Sequence, residues 1–180
     1  NRIRFSYDKE AISGNLGVMT PYVDHGYEAF VNGVKLYSAG EFSSDGKLIK
    51  LSNKYDYFVI PKEILKTENV LSFRIAGFGE LGGFAFTEFY IGEEKIVRNK
   101  YETFLMRILF FISIFFFVGL YHITLYLSRK KEKSYFYFGL LSIATFIHMI
   151  GVKSLGLWFF DNTWINLYFN GAGLLFLPFL

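Results

Sequence analysis

YEAFVNGVKLYSAG, residues Tyr27–Gly40, is the stretch that decides the fold. Two short runs of β-type residues, Tyr27–Val31 and Val34–Ser38, flank Asn32-Gly33. A two-residue type I′ turn needs positive φ at both central positions, and Asn-Gly adopts it with little strain. The stretch therefore predicts a β-hairpin. Outward from it the pattern stays β. The opening NRIRFSY puts Ile3, Phe5 and Tyr7 on one face. Tyr55–Ile60 reads as a strand ending at Pro61, with one helical turn over Pro61–Leu65. Asn69–Ile75 sets Leu71, Phe73 and Ile75 against Ser72 and Arg74, and Phe84–Ile91 alternates again. Gly92-Glu93-Glu94 is expected to turn the chain back into a strand over Lys95–Val97. Short strands at this spacing, without a long amphipathic helix, predict an all-β sandwich or jelly roll over residues 1–100.

Beyond that region the chemistry changes. The 180 residues are 52% apolar and 21% aromatic, but the charges are unevenly placed. Asn1–Thr103 holds 13 Lys/Arg against 14 Asp/Glu, whereas Phe104–Leu180 holds 6 against 2, so the net +3 arises in the apolar part. That distribution excludes a single soluble globule and a nucleic-acid binder with a basic face. The absence of cysteine excludes disulfides, thiolate metal sites and cysteine nucleophiles. Ile108–Ser128, ILFFISIFFFVGLYHITLYLS, is 21 residues without a charge. At about 1.5 Å per residue it covers roughly 31 Å, the thickness of a bilayer core. Ser134–Val152 and Asn162–Leu180 are two further uncharged runs of 19 each. The expected organisation is a β domain over 1–100, then transmembrane helices over about 105–128, 134–152 and 163–180.

Orientation follows from the connections. Arg129, Lys130, Lys131 and Lys133, opposed only by Glu132, lie between the first two runs, which places that loop in the cytoplasm. Lys153 and Asp161 balance in the next connection, which Trp158 and Trp164 flank at the outer headgroup level. The β domain is then extracytoplasmic, and the expected location is a bacterial inner membrane crossed several times. The chain offers no initiator methionine and no secretory h-region, and LLFLPFL stops inside a hydrophobic run. It reads as a fragment of a longer membrane protein.

Tyr27–Gly40 is similar to the "strand, Asn-Gly, strand, Gly" signature of galactose-binding-like jelly rolls, which include the sugar-binding domain of family 2 glycoside hydrolases. Ile60–Phe84, IPKEILKTENVLSFRIAGFGELGGF, resembles their second signature, in which a Pro-started turn leads to Asn-Val-Leu and a strand bearing Arg. The strand ending at Ile91-Gly92, followed by spans carrying Leu120-Tyr121, Tyr126-Leu127 and Tyr135–Phe138, resembles bacterial seven-transmembrane receptors with diverse intracellular signalling modules. The resemblance implies an extracellular jelly-roll sensor, seven helices and a cytoplasmic enzymatic output domain. The helices beyond the third and the output domain lie outside this chain, which itself is read as non-enzymatic.

The candidate binding residues precede and follow the hairpin. Tyr22, Asp24, His25 and Tyr27 combine stacking faces with hydrogen-bonding groups, as a polar ligand requires, and Arg74 points away from the Leu71/Phe73/Ile75 face. His25 beside Asp24 has an acid–base pairing, but no nucleophile is placed with it, so no catalytic residue is assigned. Gly77, Gly79 and Gly82 spell G-x-G-x-x-G, yet a strand pattern follows where a dinucleotide site needs a helix N-terminus; the glycines read as a β-loop. His122 and His148 fall at depths of about 10 Å and 22 Å from the inner end of their spans, too far apart to share an ion. Interhelical hydrogen bonding is their expected role, as it is for Asn166 and Asn170. No cofactor and no metal is expected. The expected partners are the lipid bilayer, a small carbohydrate-like ligand and a second copy of the chain in a homodimer, with no nucleic acid. Two functions fit: a receptor that senses the ligand outside and relays inward, or a membrane-tethered recognition and envelope-assembly module without signalling output.

Overall fold

A computed structural model of the chain describes residues 2–12, 14–21, 23–24, 26–50, 52, 55–76, 83–84 and 89–152. The chain separates into two compact units, dividing between Thr103 and Phe104.

The first unit is β-rich. Its strands are β1 (Arg2–Ser6), β2 (Leu16–Met19), β3 (Val23–Asp24), β4 (Gly26–Val31), β5 (Val34–Ala39), β6 (Glu41–Phe42), β7 (Leu48–Lys50), β8 (Tyr57–Ile60), β9 (Glu68–Ala76), β10 (Gly83–Phe84) and β11 (Tyr90–Glu93). Two antiparallel sheets, ordered β1-β9-β4-β5 and β11-β2-β8, carry the core. Side chains alternate across each sheet, so one face of β4 and β9 offers Tyr27, Ala29, Val31, Leu71 and Phe73. The facing sheet offers Leu16, Val18, Phe58 and Ile60 to the same hydrophobic cluster. Tyr27, Ala29, Val31, Val18, Ile60 and Leu71 are all 0% exposed. Burying a side chain of this size contributes roughly 1.5–3 kcal/mol relative to leaving it in water.

Asn32 and Gly33 turn with φ of 52° and 87°, the positive pair that a type I′ hairpin requires. The expected helical turn after Pro61 is a 3-10 turn over Lys62–Ile64. The ends of the expected Phe84–Ile91 strand lie in different sheets: β10 pairs with β3, and β11 pairs with β2, residues 85–88 lying outside the description. The GxGxxG glycines at 77, 79 and 82 also lie outside it.

Lys95–Val97 is not a returning strand. It belongs to the first turn of helix α1 (Glu94–Ser128), which begins well before the expected span. The outer face of β2 and β11 explains this, because Gly17 and Gly92 leave room there. A Cβ on Gly17 would lie 3.0 Å from Val97 Cβ and 3.3 Å from Glu94 Cα. Val97 and Tyr101, spaced i and i+4, share one helical stripe that this gap accepts. Val97 is buried, and Tyr101 stacks on Tyr57 at 5.7 Å while donating to the Tyr55 carbonyl at 3.2 Å. Lys100 Nζ sits 3.1 Å from the centre of the Tyr90 ring. A strand through Lys95–Val97 would forfeit these contacts.

The second unit holds the remainder of α1 and α2 (Lys133–Val152). Among the described residues α1 is the one helix long and apolar enough to cross a membrane. The two helices touch at Gly119 and Gly139, where a Cβ on either would meet the other's carbonyl oxygen at 3.2 or 3.1 Å. Phe116–Phe146 and Tyr126–Phe136 ring pairs extend that contact. Phe110, Phe111, Phe117 and Tyr121 point outward from α1 and are exposed. The hydroxyls of Ser113, Thr124, Ser142 and Thr145 donate to carbonyls one turn back, which keeps polar hydrogens satisfied along the helices. His122 Nδ1 is 2.9 Å from the Val118 carbonyl and its ring packs on Phe138 at 4.5 Å. The third expected span, with Asn166 and Asn170, lies outside the described residues.

Candidate functional site

Of the five sequence-predicted binding residues, Tyr22 and His25 lie outside the description. Asp24 is placed by its backbone alone, opposite Gly83 in the β3–β10 pair. Tyr27 and Arg74 are on opposite faces of the first sheet. Tyr27 pairs with Ile75 and its neighbour Glu28 pairs with Arg74, so the alternation sends the two side chains apart.

Tyr27 is a core residue with a polar end. Its hydroxyl donates to Asp56 Oδ2 at 3.2 Å and lies 3.2 Å from Thr20 Oγ1, while its ring meets Phe73 edge-on at 5.7 Å. Tyr37 donates to the other oxygen, Asp56 Oδ1, at 2.8 Å, and stacks on Phe58. The backbone ties the cluster further, with Thr20 N–H donating to the Asp56 carbonyl at 2.9 Å. Asp56, Thr20 and Tyr27 are all nearly inaccessible. Burial first, and the Asp56 carboxylate second, push both tyrosine hydroxyls far above their ordinary range. This network joins β4, β5 and the start of β8 inside the core, and it holds protons rather than releasing them.

Arg74 builds a different cluster on the far face. Glu28, 4% exposed at its side chain, lies between two cations: Lys35 donates to Oε1, and the Arg74 guanidinium makes an ion pair with Oε2. That second contact brings the charges together without aligned hydrogen-bond geometry. The cross-strand register places Arg74 directly opposite Glu28. Lys35 arrives by a different route. A β-bulge in β5, between the Ala29↔Tyr37 and Phe30↔Lys35 pairs, shifts Lys35 onto the face that Glu28 uses. The β6–β7 hairpin covers the cluster's side: Arg74 lies 5.6 Å from the centre of the Phe42 ring, and a Cβ on Gly46 would come within 2.8 Å of its Nη1.

Glu28, Lys35 and Asp56 were not singled out from sequence. Glu28 stands between two apolar residues in a strand, so alternation alone made it a solvent-facing residue, and no local signal announces a bulge at Leu36. A polar residue that opens a strand, as Asp56 precedes Tyr57, also looks like an ordinary loop carboxylate.

A separate opening of about 400 Å³ is lined by Gly14, Asn15, Glu93, Glu94, Lys95 and Arg98. Two of its charges, Glu94 and Arg98, are paired with each other. Asn15 Nδ2 donates to Glu94 Oε2 at 3.0 Å, and Arg98 donates to the other Glu94 oxygen. Glu93 and Glu94, neighbours in sequence, end β11 and begin α1.

No protein-family model and no curated protein matches the chain. Among solved structures, a glycosyl hydrolase family 2 member from Bacteroides cellulosilyticus is similar at 12% identity and a TM-score of 0.38. That likeness covers 50% of this chain and 12% of that protein, so it is a distant likeness to a small part of a much larger chain.

Proposed function

We propose that the chain is the sensing end of a bacterial membrane signal-transduction receptor. In this reading the β unit is an extracytoplasmic jelly roll of the galactose-binding-like kind that takes a small, carbohydrate-like ligand. The apolar helices then relay a change in packing to a cytoplasmic output domain beyond this chain. The observation that supports it is α1. Its first turns, through Tyr101, pack on the β11-β2-β8 sheet, and the same unbroken helix continues through the uncharged run Ile108–Ser128. At about 1.5 Å per residue, α1 is roughly 52 Å long, enough for a bilayer core of about 30 Å plus the turns held by the sheet. A sensor needs a continuous element between ligand and membrane, whereas a tethered module is served equally by an irregular linker.

Direction is the part most open to test. Four basic residues against one acidic residue in Arg129–Lys133 favour a cytoplasmic connection between α1 and α2. The native chain has no cysteine, so single replacements report cleanly. A cysteine replacing the exposed Ser44 should react with an impermeant thiol reagent in intact cells, and one replacing Ser134 should react only after the membrane is opened. The reverse labelling would put the β unit in the cytoplasm and end the external-sensor reading.

A further inference from the structure

We propose that Arg74 and Lys35, converging on the buried Glu28, form a receptor for one carboxylate group of a small acidic ligand. Two full cations around one carboxylate leave a net +1 at the cluster. The carboxylate is sequestered, at 4% exposure, while the cations are open, with Lys35 at 50% and Arg74 at 51%. An ammonium has three donors and a guanidinium five, and the two oxygens of Glu28 use only a minority of them. The rest face solvent from fixed positions.

Fixation is what distinguishes this cluster from an ordinary surface ion pair. Arg74 is held from below by Glu28, by the Phe42 ring on the hairpin, and by Gly46. Gly46 has φ of +81°, and the space its missing side chain leaves is where the guanidinium lies. Lys35 is aimed by the β5 bulge. Much of the rotamer freedom that binding would otherwise remove has already been lost in folding, which favours affinity. Asp45, the acid beside Gly46, does not fill the position, because Ser43 and Lys47 (3.1 Å) take up its carboxylate.

The charge selects the ligand. A carboxylate neutralises the +1 and matches the planar guanidinium fork. A dianion such as sulfate would leave an excess negative charge above the buried Glu28. The proposal does not depend on the sensor reading, since acetate carries the anion without any sugar.

The test uses the whole chain in lipid nanodiscs, labelled with ¹⁵N-arginine. The sequence has six arginines, so the Arg74 Nε–Hε signal is identified by its loss in Arg74→Lys, and the other five report that the fold is kept. Titration with acetate should shift the Arg74 signal saturably. D-galacturonate should shift it at least as strongly, and D-galactose should not move it. Lys35→Gln should weaken acetate binding roughly tenfold, the effect of losing one charge-assisted hydrogen bond. Lys47→Gln should leave it unchanged. Glu28→Gln raises the net charge to +2 and should admit sulfate, which the native chain binds less well than acetate. The absence of a saturable acetate shift, an acetate response indifferent to Lys35→Gln, or sulfate binding tighter than acetate in the native chain would each overturn the proposal. Galactose binding that does not move the Arg74 signal would overturn it too, while leaving the carbohydrate-ligand reading in place.

Discussion

At the scale of single residues, the two acidic groups buried among the described residues of the β unit are handled in opposite ways. Glu28 is compensated by cations, and Asp56 is surrounded by hydroxyls, with Tyr27 and Tyr37 donating to its two oxygens. The second arrangement has a consequence at high pH. Both tyrosines keep their protons in the folded chain well beyond the point, near pH 10, at which an unfolded chain releases them. Above pH 10 the native state therefore binds more protons than the unfolded state, and stability falls as pH rises. The stabilisation is complete below pH 10. Its loss should approach about 1.4 kcal/mol per pH unit for each tyrosine. Thermal melts of the β signal between pH 8 and pH 11 should show a steep decline in the native chain and a shallower one in Tyr37→Phe. Equal slopes would remove Tyr37 from the coupled network.

At the scale of elements, the Asn32-Gly33 hairpin does more than reverse the chain. Asn32 Nδ2 donates to Asn69 Oδ1 at 2.9 Å and to the Ile64 carbonyl at 3.0 Å, and Asn32 Oδ1 accepts from Val70 N–H at 3.1 Å. Asn69 is buried and closes its own loop through the Lys66 backbone. The Asn-Gly of one signature and the Asn-Val-Leu of the other are thus one hydrogen-bonded unit, although 37 positions separate the two asparagines. Each was visible in the sequence, but their meeting was not, because hydrogen bonding across that separation leaves no periodic trace. Gly33 offers a clean test of the turn. No atom lies within 4 Å of the Cβ it lacks, so Gly33→Val introduces backbone strain at φ of +87° and no clash. The substitution should destabilise the β unit by about 1–3 kcal/mol. An unchanged melting curve would mean that the turn relaxes into another type.

At the scale of the whole molecule, the β unit is joined to the apolar segment by a helix that starts on a sheet. Gly17 is the position on which that attachment depends. Its absent side chain makes room for Val97 and Glu94, and a Cβ there would also lie 3.0 Å from the Tyr57 ring on which Tyr101 stacks. Gly17→Val overpacks this contact and should cost roughly 1–3 kcal/mol. It should also raise amide hydrogen exchange over Glu94–Tyr101 without altering exchange over Lys133–Val152. Uniform protection across α1 in that variant would show that the helix start holds without the sheet.

By itself the sequence determined what local chemistry can determine. The hairpin turn, the alternating strands β1 and β9, the outward placement of Arg74 and the uncharged length of α1 all follow from spacing over a few residues, through pleat geometry, turn sterics or apolar length. Tertiary structure alone decided the rest. Lys95–Val97 became helix because two glycines of another pair of strands left a gap for Val97. Glu28 became buried, on a face that alternation assigns to water, because Arg74 and Lys35 converge on it. Lys35 reached it through a bulge, and Asp56 became the centre of a tyrosine network by lying between two sheets. Except at Lys35, which lies seven positions from Glu28 in the same hairpin, the deciding contact is with a segment distant in sequence, and its energy outweighs the local preference it overrides.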